Sequence, residues 1–179
     1  MSWIHRWPRW RRPLGPQELV NFDDTEGDQI LVEKWVQRSF EPEIVRGWTF
    51  EKLPDNRLGF AVGYPRKGSF AIDSKPQDIP VGTWIQFAVR RRGDVFQILM
   101  NGYVVATNTA PEGAVLDLDS PSSLKFGHRG GPRDTPGSNS HQRSFLHGRI
   151  DDVKLIVGHI LSHKEIRALV EAGTSGSLS

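Results

Sequence analysis

The chain has 179 residues, 37% of them hydrophobic, which suits one folded domain large enough to bury a core of its own. It contains no cysteine, so a disulfide framework and thiolate metal sites are excluded. The formal net charge of +2 hides an uneven distribution. Four arginines (Arg6, Arg9, Arg11, Arg12) and no acid fall within residues 1–12, leaving the rest of the chain slightly acidic.

Residues 1–16 read as an extended arm. Half of the six tryptophans (Trp3, Trp7, Trp10) lie there, and Pro8 and Pro13 prevent a long regular helix. Tryptophan suits a membrane interface, and arginine is drawn to anionic headgroups at roughly 1 kcal/mol per charge. The same two residue types dominate protein-interface hot spots, and both also suit a nucleic acid. The docking set is Trp3, Ile4, Arg6, Trp7, Arg9, Trp10, Arg11 and Arg12. A protein partner in a membrane-associated assembly, with an anionic lipid surface beside it, is the expected covering; nucleic acid is not.

Residues 17–173 read as one domain and 174–179 as a flexible tail. Asp23, Asp24 and Asp28, with Glu26, form an acidic cluster without EF-hand spacing. Solvated loop acids are the simpler reading, so no metal is expected, with calcium on these three aspartates the weaker alternative. Trp35 and Trp48 fit either a core or a platform for stacking a sugar. In Trp84 to Val89, Ile85, Phe87 and Val89 fall on one side of an extended chain and Trp84, Gln86 and Ala88 on the other, the period of a strand. Arg90 to Asp94 break that alternation and predict a polar loop, in which Arg92-Gly93-Asp94 is a tight turn. Val95 to Met100 resumes as a strand, and Asn101-Gly102 supplies the positive φ angles of a type I′ hairpin turn.

The segment from Arg129 to Ser144 is long, polar and rich in Gly, Pro and Ser, as functional or mobile loops are. With the Arg90 to Asp94 loop it offers secondary contact residues: Arg90, Arg91, Arg92, Arg129 and Arg133. From Ile150 to Val157 the alternation predicts a strand with Val153, Leu155 and Val157 on its buried side. Ser162 with Glu165 forms a capping box, Ile166, Leu169 and Val170 an apolar stripe, and Gly173 a left-handed stop, so one short helix follows. The six histidines show no i, i+4 pair on a helix, which speaks against a histidine metal site.

The series of motifs Trp84-x-x-Phe-Ala-Val, Met-Asn101-Gly102, Leu-Lys-Phe-Gly127, Phe145-x-x-Gly148-x-Ile150-Asp151-Asp152-Val153 and Leu161-Ser-x-x-Glu165-Ile166 resembles the concanavalin A-like lectin/glucanase superfamily, in its laminin G-like and pentraxin-like branch. The likeness extends over Gly82 to Gly173, and Leu19 to Asp23 matches the opening strand. Where many relatives carry His two residues after the tryptophan, this chain has Gln86. The resemblance implies an all-β, two-sheet antiparallel jelly-roll sandwich, usually a binding module and sometimes an enzyme, with calcium bound by loops in several relatives. Glucan-hydrolysing relatives place two glutamates on one strand as Glu-x-Asp-x-x-Glu or one residue wider; here Glu26-Gly27-Asp28 is followed by an acid only at Glu33, so no enzyme is expected. The functional expectation is a non-catalytic accessory subunit, held by its arm on the cytoplasmic side of a membrane or membrane-protein complex. The alternative is a carbohydrate-binding, lectin-like module.

Overall fold

The structure, a computed structural model, describes residues 14–38, 41–64, 68–112, 114–116, 118, 120–128, 145–157, 162 and 164–168. Ten strands run in chain order: β1 (Leu14–Phe22), β2 (Gln29–Arg38), β3 (Glu41–Lys52), β4 (Leu58–Tyr64), β5 (Gly68–Asp73), β6 (Trp84–Arg92), β7 (Val95–Met100), β8 (Tyr103–Thr109), β9 (Lys125–Phe126) and β10 (Gly148–Val157). They form two antiparallel five-stranded sheets, one ordered β10-β1-β6-β7-β8 and the other β5-β4-β3-β2-β9. A short helix, α1, covers 164–168. This is the jelly-roll sandwich expected from the sequence.

Alternation along the strands builds the core. Val20 and Phe22 of β1, Ile85, Phe87 and Val89 of β6, and Phe96 and Ile98 of β7 face Val32, Trp48, Phe50, Phe60, Val62, Phe70 and Ile72 of the other sheet. Phe87 sits edge-on to Phe22 at 6.1 Å and to Phe50 of the opposite sheet at 6.4 Å. Phe96 makes the equivalent bridge further along, 6.0 Å from Phe60 and 5.2 Å from Phe70. Each such pair adds about 0.5–1.5 kcal/mol to the gain from apolar burial. Trp48 is buried and leans on Phe60, which settles its reading as core; Trp35 and Trp84 are half-buried.

The Asn101-Gly102 turn is as expected, with φ of 50° and 76°. Glycine here has a second reason. A Cβ on Gly102 would lie 2.4 Å from Cγ of Arg167, so the bare backbone lets α1 rest on the turn. Ile166 packs with Ala88 and Leu99 on the outer face of the first sheet. Buried Gln86 sends its side-chain amide to the Ile166 carbonyl at 3.3 Å, while its backbone N–H donates to Asn101 Oδ1 at 3.0 Å. Gln86 thus joins hairpin and helix. The capping box is present: the Ser162 N–H donates to Glu165 Oε2 at 2.7 Å and the Glu165 N–H to Ser162 Oγ at 3.2 Å. Leu169, Val170 and Gly173 lie outside the described residues.

Three local expectations are corrected. β1 begins at Leu14, inside the stretch assigned to the arm. Arg90, Arg91 and Arg92 are strand residues, and only Gly93 and Asp94 turn, because Arg90 to Arg92 pair in register with Gln97 to Val95. In β10 the side assigned to Val153, Leu155 and Val157 is not a continuous buried face. Gln17 pairs with Lys154 but Leu19 with Asp151, so β10 carries one extra residue, and Asp152 takes φ of 50° to absorb it. The bulge breaks the alternation and leaves Leu155 45% exposed.

Two measurements test this account. Phe87→Ala removes the ring shared by both sheets and should cost about 3–5 kcal/mol in urea unfolding, the usual range for an emptied aromatic core position. Ser162→Ala should cost about 1 kcal/mol, as a lost helix cap does, and should raise hydrogen exchange in α1 before it raises it in β6.

Candidate functional site

At one end of the sandwich the β1–β2 connection meets the segment that leads into β10. Gln29, fully buried at the start of β2, clamps them together. Its side-chain amide donates to the carbonyls of Asp24 at 3.0 Å and Glu26 at 3.2 Å, and its Oε1 accepts the His147 N–H at 2.9 Å. The Asp23 N–H closes the junction on the His147 carbonyl at 2.8 Å. His147 Nδ1 stands 2.9 Å from Asp24 Oδ2, both side chains reaching solvent. The N–H of Glu26, donating to Asp24 Oδ1 at 2.9 Å, and then the His147 contact hold the Asp24 carboxyl below its usual range. An ionised carboxylate and an imidazole are therefore presented side by side at the surface.

Beside them lies apolar surface. The Gly127 N–H donates to the Leu31 carbonyl at 3.0 Å and the Leu146 N–H to the Gly127 carbonyl at 2.7 Å, while His128 bridges Phe145. This short ladder fixes two flanking phenyl rings, Phe126 at 44% and Phe145 at 48% exposure. The exposed rings stand on a fixed backbone that leads from Phe145 two residues on to His147 and its Asp24 carboxylate, and together they form an amphipathic rim. Such a rim can meet a ligand that is apolar on one face and hydroxylated around its edge.

Lys52 holds the same loop from beneath, its ammonium donating to Thr25 O at 2.6 Å, Gly27 O at 2.9 Å, Leu53 O at 3.2 Å and Asn56 Oδ1 at 3.2 Å. Asp23, Asp24 and Asp28, the weak metal candidates, belong to this loop. Among the described residues there is no group of three His, Cys, Asp or Glu that could hold a metal ion.

The three described members of the secondary arginine set differ in burial. Arg91 is buried, its guanidinium 5.1 Å from the centre of the Phe96 ring and its Nε donating to Gly93 O at 2.8 Å. It faces inward because strand alternation continues through it from Phe87 and Val89. Arg90 is half-buried and bonds Gln97 Oε1 through Nε at 3.1 Å; burial, then repulsion from Arg92, lowers its pKa. Arg92 is exposed. The arm residues Trp3, Ile4, Arg6, Trp7, Arg9, Trp10, Arg11 and Arg12, and the loop residues Arg129 and Arg133, lie outside the described residues.

The group that departs furthest from its ordinary behaviour is Glu18, which the sequence reading passed over. It pairs in register with Phe87 and so shares the inner face of β1 with Val20 and Phe22. It is fully buried, neither carboxylate oxygen has a hydrogen-bond partner among the described residues, and burial pushes its pKa up to about 8. Enclosed between the sheets, it presents no oxygen to a substrate. The sign of its linkage follows from the raised value: the folded state binds a proton that the unfolded state, near 4.5, has lost. Stability should fall as pH rises from about 4.5 to about 8, by up to about 1.4 kcal/mol per pH unit. Glu18→Met should remove that slope and stabilise the fold most above pH 8, as read by urea unfolding across pH.

A profile described as the concanavalin A-like lectin/glucanases superfamily, of the laminin G type, matches residues 20–167. The chain belongs to this superfamily. Solved structures agree on the fold. The binding domain of botulinum neurotoxin DC, in complex with SialylT, superposes with a TM-score of 0.61 at 13% identity over 90% of this chain. The CBM40 of the Ruminococcus gnavus IT-sialidase gives a TM-score of 0.64 at 11% identity over 90% of this chain, and the same domain bound to alpha2,3 sialyllactose gives 0.60 at 10%. This chain spans 36% of the toxin fragment and 84% of the CBM40. No curated protein matches the chain at a significant level. These solved structures are of binding domains, and none of these likenesses bears on the accessory-subunit expectation.

Proposed function

We propose that this concanavalin A-like domain is a non-catalytic carbohydrate-binding module. The observation that carries this reading is the superposition on nearly the whole of a CBM40, a domain of comparable extent whose structure with alpha2,3 sialyllactose shares the fold. A whole-module likeness counts for more here than one to part of a larger toxin fragment. Support from the chain itself comes from the rim. A pyranose offers a C–H face and a belt of hydroxyls, which suit the exposed rings of Phe126 and Phe145 and the polar pair Asp24 and His147.

This reading takes the lectin-like alternative of the sequence analysis ahead of the membrane-docked accessory subunit. Docking through Trp3, Trp7, Trp10 and the neighbouring arginines rests on their sequence and remains a second proposal. Its test is co-sedimentation of the full chain, and of a chain lacking residues 1–13, with anionic vesicles. Membrane association that survives the deletion would count against it.

The carbohydrate reading is tested on a glycan array and by calorimetric titration with alpha2,3 sialyllactose as the first probe. Binding to at least one glycan class is expected, and Phe126→Ala and Phe145→Ala should each weaken it at least tenfold, or about 1.4 kcal/mol. An array without signal would remove the proposal. Binding unchanged by both substitutions would move the site away from this rim.

A further inference from the structure

Acidic and carbonyl oxygens crowd the β1–β2 connection, yet the positive charge at its centre belongs to the chain. Lys52, the last residue of β3, is fully buried. Its ammonium touches oxygen from two separate loops: the carbonyls of Thr25 and Gly27 on one side, and the Leu53 carbonyl and Asn56 Oδ1 on the other. Three protons meet four acceptors, so at least one proton is shared between two of them. Asn56 is held in place for this purpose by a left-handed φ of 61° and by its N–H donating to the Leu53 carbonyl at 2.9 Å. Asp28, Asp24 and Asp55 favour the charged ammonium, while burial, the largest influence, works against it and lowers the lysine pKa.

Oxygens at 2.6–3.2 Å around one buried positive centre describe the shell of a compact monovalent ion. Calcium draws its ligands in to roughly 2.3–2.6 Å. Carbonyl oxygens that converge in this way repel one another unless a cation sits between them, and here the loops on either side of the Gln29–Lys52 strand pair bring theirs to the same point. We infer that this cage is a cation-binding site which the chain fills with its own Lys52 ammonium, and that a chain without that group takes up a free ammonium-sized monovalent cation in its place. The tethered ion keeps the loop carrying Asp24 fixed whatever the ionic content of the medium. The inference does not depend on carbohydrate binding.

Lys52→Ala tests it. Thermal unfolding is followed in ammonium chloride, potassium chloride and tetramethylammonium chloride at equal ionic strength. The unsubstituted chain should melt at the same temperature in all three and should be indifferent to a chelator. Lys52→Ala should melt several degrees higher in ammonium or potassium than in tetramethylammonium, whose methyl groups do not fit between the carbonyls. Equal melting in all three salts would overturn the inference, and so would rescue by calcium alone. Should Lys52→Ala fail to fold, the unsubstituted chain supplies the second readout. The 15N-labelled Lys52 ammonium should give a proton signal protected from exchange with water; protons exchanging at the rate of a surface lysine would overturn it equally.

Discussion

Phe87 touches Phe22 in its own sheet and Phe50 in the sheet opposite, and Phe96 touches two rings of the opposite sheet, Phe60 and Phe70. A sandwich without disulfides relies on this interleaving to keep its sheets in register. Rings interleaved across the gap fix both the spacing of the sheets and their relative slide, since neither can shift without parting a ring from its neighbour. Everything at the ends of the strands inherits its position from those contacts. The rim of Phe126, Phe145, Asp24 and His147 lies where it does because β1, β2 and β10 are already set.

The ends themselves are organised by polar groups that belong to no surface. Gln29 ties two loops with one amide, and Lys52 gathers two with one ammonium. Both are fully buried, and in both the side chain's hydrogen-bonding capacity is spent mostly on backbone. This differs in kind from Glu18, which is equally enclosed and meets no partner among the described residues. A buried polar residue that is satisfied rigidifies its surroundings, while one that is not stores a cost that depends on pH.

Much of the fold was legible in the sequence because its signals are local. Alternation in Trp84 to Val89, the Asn101-Gly102 dipeptide and the Ser162–Glu165 spacing each name a conformation within a few residues, and each is found. The errors share a cause. Arg90 to Arg92 look like loop by charge, yet Arg91 continues the inward parity of Phe87 and Val89 and lies over the Phe96 ring. The bulge at Asp152 has no marker in composition; it exists because β1 and β10 differ by one residue in length. The rim and the cage were harder still, since Asp24 and His147 are far apart in sequence and the partners of Lys52 are mostly carbonyls, which every residue carries. An acidic cluster could be seen. That a lysine would sit among its backbone oxygens could not.

The Asp152 bulge also bears on how the molecule behaves among its own copies. β10 is the outermost strand of its sheet among the described residues, the position where an extra strand from a neighbour would add. One residue too many, twisted into a left-handed turn and flanked by the Lys154–Asp152 ion pair, puts the outward N–H and C=O groups out of step with any regular incoming strand. The same irregularity that spoils the tidy alternation of β10 guards that flank against edge-to-edge aggregation, so crowding many such domains together, on a surface or in tandem, would not by itself zip them into a continuous sheet.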